Sequence, residues 1–185
     1  MIIFFGPAGA GKSVQGQILA ARHGWRWLSA GQLLRDTRDP EVLACLQTGN
    51  LVPAEIISRV MSQALKDAED IDKLILDGFP REVEQAEWLM NNQGDYGRSI
   101  DLVVVLEVPR QEILQRLKLR GRADDTPESI DVRLGIYRKE MYPILDLFND
   151  RNVPIVHING VGTVGQVHDA IEAELVDREI VQETA

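Results

Sequence analysis

Residues 6–13 read GPAGAGKS, and the apolar residues Ile2–Phe5 stand directly before them. The stretch fills every position of the pattern G-x-x-x-x-G-K-[ST]. We predict a buried strand over Ile2–Phe5 and a helix from about Lys12 to His23, which is the context in which this pattern binds phosphate. Glycines let backbone N–H groups converge on phosphate oxygens, and the helix N-terminus adds the positive end of its dipole. The stretch therefore predicts a nucleoside triphosphate site between a strand and a helix.

Short apolar runs alternate with longer helical patterns over the rest of the chain. The predicted strands are residues 2–5, 25–28, 73–76, 102–108 and 153–158. Helices are predicted over residues 12–23, 82–91, 110–119, 127–149 and 164–175, with three more starting near Gly31, Glu41 and Ala54. Pro143 is predicted to kink or break the helix over 127–149. The acidic end, residues 177–185, is predicted to fray.

Strands that alternate with helices predict an α/β fold with a doubly wound, parallel sheet of five strands. The chain of 185 residues suits a single domain, over residues 1–185. Ligands of such sheets bind at the carboxyl ends of the strands. We therefore expect the functional residues at that edge of the sheet.

The charge balance and the cysteine count exclude some classes of partner. With 29 Asp and Glu against 20 Lys and Arg, the net charge of −9 argues against a general nucleic-acid-binding protein. The N-terminus lacks the segments of a signal peptide, and no run approaches the ~18 apolar residues of a membrane helix. Cys45 is the single cysteine. We expect a cytoplasmic protein with no disulfide and with neither nucleic-acid nor membrane partners.

Basic residues concentrate in one segment of this acidic chain. Eight of the 20 lie from Arg110 to Lys139. Four of them surround a pair of aspartates: Arg116, Arg120, Arg122 and Arg133 around Asp124 and Asp125. The cluster predicts a small, highly charged anion bound at one place, and a surface ion-pair network is the alternative. The two aspartates are expected to hold Arg122 and its neighbours or to cap the next helix.

A second set of candidates lies in LILDGFPREVEQA, residues 74–86. Asp77 ends a predicted strand beside the phosphate-binding loop, where its carboxylate can hold Mg²⁺ through water and the Ser13 hydroxyl can ligate the ion. The amide of Gln85 offers a donor and an acceptor together, which matches N6–H and N1 of adenine. Taken alone, Gln85 is equally consistent with a solvated helix residue.

The distribution of basic residues also favours a phosphate acceptor. Such an acceptor is already an oxyanion, so it needs positioning and charge neutralisation rather than a general base. The chain offers arginines for this task and no obvious catalytic histidine. A hydroxyl acceptor would gain more from a carboxylate base, and Asp77 is the candidate for that alternative.

Together these stretches resemble the adenylate kinases and the closely related nucleoside monophosphate kinases. The matching pieces, in the family's order over nearly the whole chain, are GPAGAGKS, LSAGQLLR, TGNLVP, LDGFPREVEQA, RLKLRGRADD and RLGIYR. The resemblance implies an enzyme that moves the γ-phosphoryl group of ATP to AMP, with Mg²⁺ as cofactor and ATP as co-substrate. Three alternatives stay open: a kinase for another nucleoside monophosphate, a kinase for a small hydroxyl acceptor, and an ATP-binding assembly or regulatory factor with weak ATPase activity.

The resemblance also implies roles for individual residues. The expected ATP-binding residues are Gly9, Ala10, Gly11, Lys12, Ser13, Val14, Arg116, Arg120 and Gly162. The expected AMP-binding residues are Ala30, Gly31, Arg35, Leu51, Val52, Gly78, Arg81, Gln85, Arg122 and Arg133. Among these, Arg35 and Arg81 would hold the monophosphate, and Gln85 would contact adenine. The expected catalytic residues are Lys12, Arg81, Arg116, Arg120, Arg122 and Arg133.

One part of the family pattern is missing. Many adenylate kinases carry a lid domain between the positions of Arg120 and Arg122, where this chain has only Gly121. The expected organisation is a core, a small monophosphate-binding helical flap at about residues 30–60, and a lid reduced to a turn at about residues 120–125. We expect the loss to leave the phosphates wetter and to permit ATP hydrolysis without AMP. A neighbouring subunit that covers the site is the alternative.

Overall fold

The alternation of apolar runs and helical patterns in the sequence corresponds to a parallel β-sheet with helices between its strands. In a computed structural model that describes residues 1–182, the sheet has five strands in the order β2-β3-β1-β4-β5, and each neighbouring pair is parallel. The strands are β1 (Ile2–Phe5), β2 (Arg26–Ser29), β3 (Leu74–Asp77), β4 (Leu102–Glu107) and β5 (Ile155–Asn159). The predicted fold class, a doubly wound α/β domain, is confirmed.

The helices connect these strands. They are α1 (Lys12–His23), α2 (Ala30–Asp36), α3 (Pro40–Thr48), α4 (Ala54–Lys66), α5 (Val83–Asn92), α6 (Arg110–Arg120), α7 (Pro127–Asp150) and α8 (Val164–Asp177), with a 3₁₀ turn at Gln93–Tyr96. Side-chain caps begin several of them. Thr126, for example, accepts a hydrogen bond from the backbone N–H of Ser129 at the start of α7, and Pro127 occupies the first turn. Across residues 1–182, no helix combines the length and the apolar character needed to cross a membrane.

The central strands are covered on both faces. Ile3 and Phe5 belong to the core on one face, and Ile2 and Phe4 to the core on the other. Each of the four is at most 6% exposed. Because successive side chains of a strand point to opposite faces, a strand buried on both sides must be apolar throughout. This explains the unbroken apolar run that opens the chain.

The strand order places a crevice at β1. From β1 the chain moves to β2 and β3 on one side of the sheet, and it then crosses to β4 and β5 on the other side. A change of direction of this kind leaves an opening at the carboxyl end of the strand where it occurs. The phosphate-binding loop, residues 6–13, follows β1 at this opening. Asp77 at the end of β3 lies opposite Phe4 of β1.

Pro143 was predicted to kink or break its helix; the break is wrong, and the kink stays a prediction. α7 runs without interruption from Pro127 to Asp150, with Pro143 inside it. A proline removes one backbone hydrogen bond of the helix. The residues after it, Ile144 and Phe148, are buried at 1% and 0% exposure, so core packing holds the last turns in place.

The C-terminal segment is ordered further than predicted. α8 ends at Asp177, and Ile180 and Val181 pack against the core that contains Ile2 and Phe4. The fraying that was predicted for residues 177–185 therefore does not begin at Asp177. The last three residues of that prediction, 183–185, lie outside the described residues.

Candidate active site

A cavity of about 660 Å³ opens at the carboxyl ends of β1 and β3, and we call it the main cavity. It is lined by the phosphate-binding loop, the flap (residues 30–60), the segment from α6 to α7 and the loop between β5 and α8. A second cavity of about 20 Å³, the side cavity, shares Leu51, Gly78 and Arg81 with it. With the end of β3 and the loop after it, which contribute residues 77–78 and 80–81, five segments that are distant in sequence converge on one place.

The phosphate-binding loop requires glycine at two positions. Gly11 has a φ of 101° where α1 begins. Gly6 has a φ of 146°, and a Cβ there would lie 2.9 Å from the carbonyl oxygen of Leu106. Both backbone conformations are strained for residues with a side chain, and the close approach to β4 excludes one at Gly6. The pattern of glycines in the sequence is therefore a consequence of the shape of the loop.

Lys12 is the cation of this loop. Its Nζ donates hydrogen bonds to the carbonyl oxygens of Gly6 and Pro7 at 2.8 and 2.9 Å. Burial lowers the pKa of Lys12 to about 8, although the charge of Asp77 opposes the change. The ammonium group is thus desolvated, and the charge of Asp77 balances its positive charge only in part. A phosphate group in the loop would supply the missing negative charge.

Ser13 and Asp77 join α1 to the end of β3. The Ser13 Oγ donates a hydrogen bond to Asp77 Oδ2 at 2.6 Å, and Asp77 is 4% exposed. A hydroxyl and a carboxylate at the edge of a phosphate site are the hard oxygen ligands that Mg²⁺ prefers, directly or through water. The donor set therefore fits the expected metal.

Two arginines face the main cavity from the side of the flap. Arg81 Nε donates to the carbonyl oxygen of Gly78 at 2.9 Å, and Arg35 Nη2 donates to Gln32 Oε1 at 3.3 Å. Neither guanidinium forms an ion pair with a carboxylate within residues 1–182. Both keep donors and positive charge available for an anion.

Gln85 lies in the side cavity and is 3% exposed. Its Oε1 accepts a hydrogen bond from the backbone N–H of Arg81 at 2.9 Å, and its Nε2 donates to Glu82 Oε2 at 2.8 Å. Ala30, Leu51 and Val52 of the flap segment form an apolar wall of the same cavity. The amide is therefore buried next to an apolar surface that suits a planar base.

Asp125 organises the arginines between α6 and α7. Arg120 donates from Nε and Nη2 to its two oxygens at 2.8 and 2.5 Å, and Arg133 Nη2 donates to Oδ1 at 3.0 Å. The side chain of Asp125 is only 2% exposed. Burial alone would raise the pKa of Asp125, but hydrogen bonds and charges from Arg120 and Arg133 outweigh it and hold that pKa below its usual value. One carboxylate thus fixes two guanidinium groups that line the main cavity.

Arg122 differs from its neighbours. It is exposed and lines the main cavity, and its side chain makes no hydrogen bond or ion pair with residues 1–182. Burial and the nearby charges of Arg120 and Arg35 lower the pKa of Arg122. Guanidinium groups that repel one another across a cavity form a site for an anion.

Arg116 joins three segments at the other end of the main cavity. Its Nη2 donates to the carbonyl oxygen of Gly160 at 2.9 Å, its Nη1 to that of Ala10 at 3.4 Å and its Nε to Glu112 at 2.8 Å. Gly162 lies in the same loop after β5 and has a φ of 131°. This end of the cavity therefore combines backbone groups with a cation that is held in place.

Comparison with known proteins decides the family. The family model described as "Adenylate kinase" matches residues 4–153. The chain belongs to the adenylate kinase family. It is 35% identical over 173 residues to an adenylate kinase of Corynebacterium glutamicum, which covers 90% of this chain and 94% of the relative. It is also 37% identical over 172 residues to an adenylate kinase of Mycolicibacterium paratuberculosis, and the match covers 90% of this chain and 93% of the relative. An adenylate kinase of Porphyromonas gingivalis is 34% identical over 187 residues, which cover 96% of this chain and 95% of the relative.

Membership of the adenylate kinase family confirms the resemblance, and the protein is an enzyme of the nucleoside monophosphate kinase class. The structure brings the predicted site residues to two adjoining places. Those that line the main cavity are Gly9, Ala10, Gly11, Lys12, Ser13, Val14, Gly31, Arg35, Leu51, Asp77, Gly78, Arg81, Arg116, Arg120, Arg122, Arg133 and Gly162. Ala30, Val52 and Gln85 line the side cavity only. The individual roles of these residues stay predictions.

The expected role of the aspartate pair is confirmed in part. Asp124 and Asp125 were expected to hold Arg122 and its neighbours or to cap α7. Asp125 does hold the neighbours, Arg120 and Arg133, but neither aspartate holds Arg122, and the cap is Thr126. Arg133 also donates to the backbone carbonyl of Asp124 at 2.6 Å. Arg133 reaches back from the second turn of α7 to Asp125, whereas the Arg122 side chain lines the main cavity without a partner in residues 1–182.

Sequence reasoning missed two residues that support this adenylate kinase site. Gln15 is 3% exposed, and its Nε2 donates to the carbonyl oxygen of Val164 at 2.9 Å, which connects α1 to the start of α8. Glu82 holds the amide of Gln85. A buried polar residue in the first turns of α1 was a usable signal for Gln15, because such a residue needs a partner. No local pattern distinguishes Glu82 from the exposed Glu84 two residues later.

Proposed function

We propose that the protein transfers the γ-phosphoryl group of Mg-ATP to AMP and so produces two molecules of ADP. One observation carries the proposal: two sets of cations from different segments of the chain line a single cavity. Lys12 and the pair Arg120 and Arg133 belong to one set, and Arg35 and Arg81 to the other. A simple ATPase needs only the first set. A second anion-binding set at the same cavity implies an acceptor that carries a phosphate of its own.

In the proposed reaction a phosphate oxygen of AMP attacks the γ-phosphorus of ATP. The bond between that phosphorus and the β–γ bridging oxygen breaks in line, and ADP leaves with the electron pair. The acceptor oxygen already carries negative charge, so no residue has to remove a proton from it. The protein's contribution is position and charge neutralisation, which the fixed guanidinium groups of Arg120 and Arg133 supply without reorganisation.

Mg²⁺ is the cofactor of this proposal. Ser13 would ligate the ion and Asp77 would hold it through water, in keeping with their short hydrogen bond at the loop. When bound, the ion neutralises charge that develops on the phosphates. Asp77 would then hydrogen-bond Ser13 and hold the water ligands of Mg²⁺. These two roles disfavour its use as the base for a hydroxyl acceptor.

The two ends of the site have separate tasks in the proposal. Arg116 and Gly162 would border the base of ATP, at the end of the cavity where Arg116 contacts Gly160. Gln85, together with Leu51 and Val52, would contact the adenine of AMP in the side cavity. A cytoplasmic location completes the proposal, on the strength of the single cysteine and the nucleotide substrates.

Replacing Arg81 by alanine tests the acceptor site. We expect the variant to lose AMP-dependent ADP formation by about 10²–10³-fold, the usual effect of removing one charged donor from the reacting group. Arg110→Ala is the matched control, because Arg110 is 57% exposed and, within residues 1–182, forms an ion pair with Asp131 alone. ADP would be measured from Mg-ATP with and without AMP. An Arg81→Ala enzyme with undiminished AMP-dependent turnover would contradict the proposal.

A further inference from the structure

The amide of Gln85 has a fixed orientation before any base arrives. Its oxygen faces the backbone N–H of Arg81 at 2.9 Å, and its nitrogen faces a carboxylate oxygen of Glu82 at 2.8 Å. Rotating the amide by half a turn would place two donors face to face at Arg81 and two acceptors face to face at Glu82. Both contacts therefore favour the same one of the two orientations.

Each amide atom keeps one further hydrogen bond to offer. An amide oxygen accepts two hydrogen bonds and an amide nitrogen donates two, and the protein uses one of each. The remaining acceptor and donor match N6–H and N1 of a 6-amino purine. A 6-oxo purine presents the reverse pattern at the same edge, with an acceptor at O6 and a donor at N1–H. The orientation of the amide thus decides which of the two bases can bind.

From this arrangement we infer that Glu82 is a specificity-determining residue, which selects 6-amino over 6-oxo purine monophosphates by holding the Gln85 amide in one orientation. The inference rests on the proposed function, since it requires Gln85 to contact the acceptor base. Glu82 itself would not touch the base and is a positioning residue. It is the only side chain within residues 1–182 that accepts a hydrogen bond from Gln85 Nε2.

The position of Glu82 in the fold suits this task. Glu82 and Gln85 lie on the core side of the site, before and within the first turn of α5, whereas Leu51 and Val52 opposite them belong to the flap. The side cavity of about 20 Å³ is too small for a purine, so the flap must move before a base can reach Gln85. The pair that sets the specificity does not belong to the moving segment. Its hydrogen bonds involve Arg81 and no residue of the flap, so the protein itself orients the amide.

The Glu82 side chain has no second structural role that would complicate the interpretation of a variant. Its side chain does not cap α5, and it forms no ion pair with a residue in the described range 1–182. The backbone N–H of Arg81 remains in every variant, so removal of the carboxylate weakens the preference for one orientation without abolishing it. We therefore expect a graded change in base selection rather than a loss of activity.

Kinetics with AMP and IMP as alternative acceptors test the inference, because the two differ only at the edge that Gln85 would contact. We expect Glu82→Gln and Glu82→Ala to lower the ratio of kcat/KM for AMP to kcat/KM for IMP by about tenfold, which is the effect of one hydrogen bond to a charged group. Glu82→Gln conserves volume, and its own amide can donate to a rotated Gln85. Glu84→Gln is the matched control, since Glu84 is exposed at the start of the same helix and its side chain forms no hydrogen bond with Gln85 within residues 1–182.

The ratio separates specificity from structural damage. A merely structural role would lower kcat/KM for AMP and IMP by the same factor, and this result would overturn the inference. If the ratio of kcat/KM for AMP to kcat/KM for IMP stays within twofold of the wild-type value in both Glu82 variants, the inference is also overturned. In that case AMP-dependent turnover of the wild type would still support the proposed function. A wild-type enzyme without AMP-dependent turnover would refute the proposed function and this inference together.

Discussion

At the scale of single residues, Lys12 makes ATP binding sensitive to pH. Its pKa of about 8 reflects burial, which disfavours the charged form in the free enzyme. A bound triphosphate adds negative charge beside the ammonium group and must raise that pKa. Protonation and ATP binding therefore support each other.

The consequence is a difference between two pH profiles. As pH rises through about 8, free Lys12 loses its proton, and we expect kcat/KM for Mg-ATP to fall by up to about tenfold per pH unit. At saturating ATP the pKa is higher, so kcat should hold to a higher pH. Steady-state rates between pH 6 and pH 10 would measure both profiles. A kcat/KM that stays constant up to pH 10 would contradict this assignment.

Asp125 is the second residue whose charge has consequences for the whole site. We expect Asp125→Asn to destabilise the fold by about 1.5–3 kcal/mol, because a carboxylate that is 2% exposed and holds two arginines is replaced by a neutral amide. The variant should also turn over more slowly, since Arg120 and Arg133 lose their common partner. Denaturant unfolding and steady-state kinetics would measure the two effects.

The pH dependence of that stability difference has a definite sign. The pKa of Asp125 is lowered in the folded protein, so its stabilising effect is full above the unfolded-state pKa of about 3.9 and is lost as pH falls through the lower, folded-state pKa. Wild type and Asp125→Asn should therefore converge in stability in acid. A difference that is the same at pH 7 and at pH 3 would argue against an ionised Asp125 in the folded state.

At the scale of elements, the end of α3 and the start of α7 are in direct contact. Gly49 ends α3 with a φ of 79°, and a Cβ there would lie 2.5 Å from the carbonyl oxygen of Ser129. The flap thus rests against the helix that carries Arg133. Only glycine permits this closeness.

Gly49→Ala should therefore separate the flap from α7. We expect a raised KM for AMP, because Arg35 and Leu51 of the flap would lie further from Arg81, and a loss of stability beyond the ~1–2 kcal/mol of the backbone conformation alone. Gly97→Ala is the control, since Gly97 has a φ of 62° and no atom within 4 Å of a Cβ. Equal stability losses in the two variants with an unchanged KM for AMP would contradict a close contact.

The turn between α6 and α7 is the other element with a kinetic consequence. α6 ends at Arg120, and α7 begins at Pro127 after Thr126, so a turn of six residues, 121–126, joins the two helices where they line the main cavity. A turn of this length excludes water less well than a domain, so we expect ATP hydrolysis in the absence of AMP. Phosphate release from Mg-ATP alone would measure it, with Lys12→Ala as the background control. Hydrolysis no faster than that of an adenylate kinase with a lid would count against this expectation.

At the scale of the whole molecule, patterns in the sequence predict most of the architecture because the sheet is buried on both faces. The apolar run over 102–106 can only be a central strand, and the phosphate-binding loop requires a strand before it and a helix after it. The family resemblance also predicts which residues lie around the main cavity. The predicted start of α7 at residue 127 is confirmed, with Thr126 as its cap, whereas several helices end one or two residues later than predicted, because the apolar pattern does not fix the last turn of a helix.

What the sequence leaves unpredicted are contacts between elements that lie far apart in the chain. Gln15 and Val164 are separated by 149 residues, and their hydrogen bond exists only because α1 and α8 pack on the same face of the sheet. Asp125 likewise pairs with Arg120 and Arg133 rather than with Arg122, a choice that depends on the direction of the turn. Pro143 stays inside a helix because Ile144 and Phe148 are buried. Tertiary packing decides each of these cases.

The most direct measurement is ADP formation from Mg-ATP with AMP, CMP, UMP, GMP or no acceptor, carried out side by side on the wild-type protein. We expect AMP to give by far the fastest ADP formation, since it combines a phosphate for Arg35 and Arg81 with a purine edge that matches the held amide of Gln85. GMP and UMP present the reversed edge, and CMP presents the matching edge on a smaller ring. Slow ADP formation at the same rate with and without any monophosphate would contradict the central claim that this cavity transfers a phosphoryl group between two nucleotides.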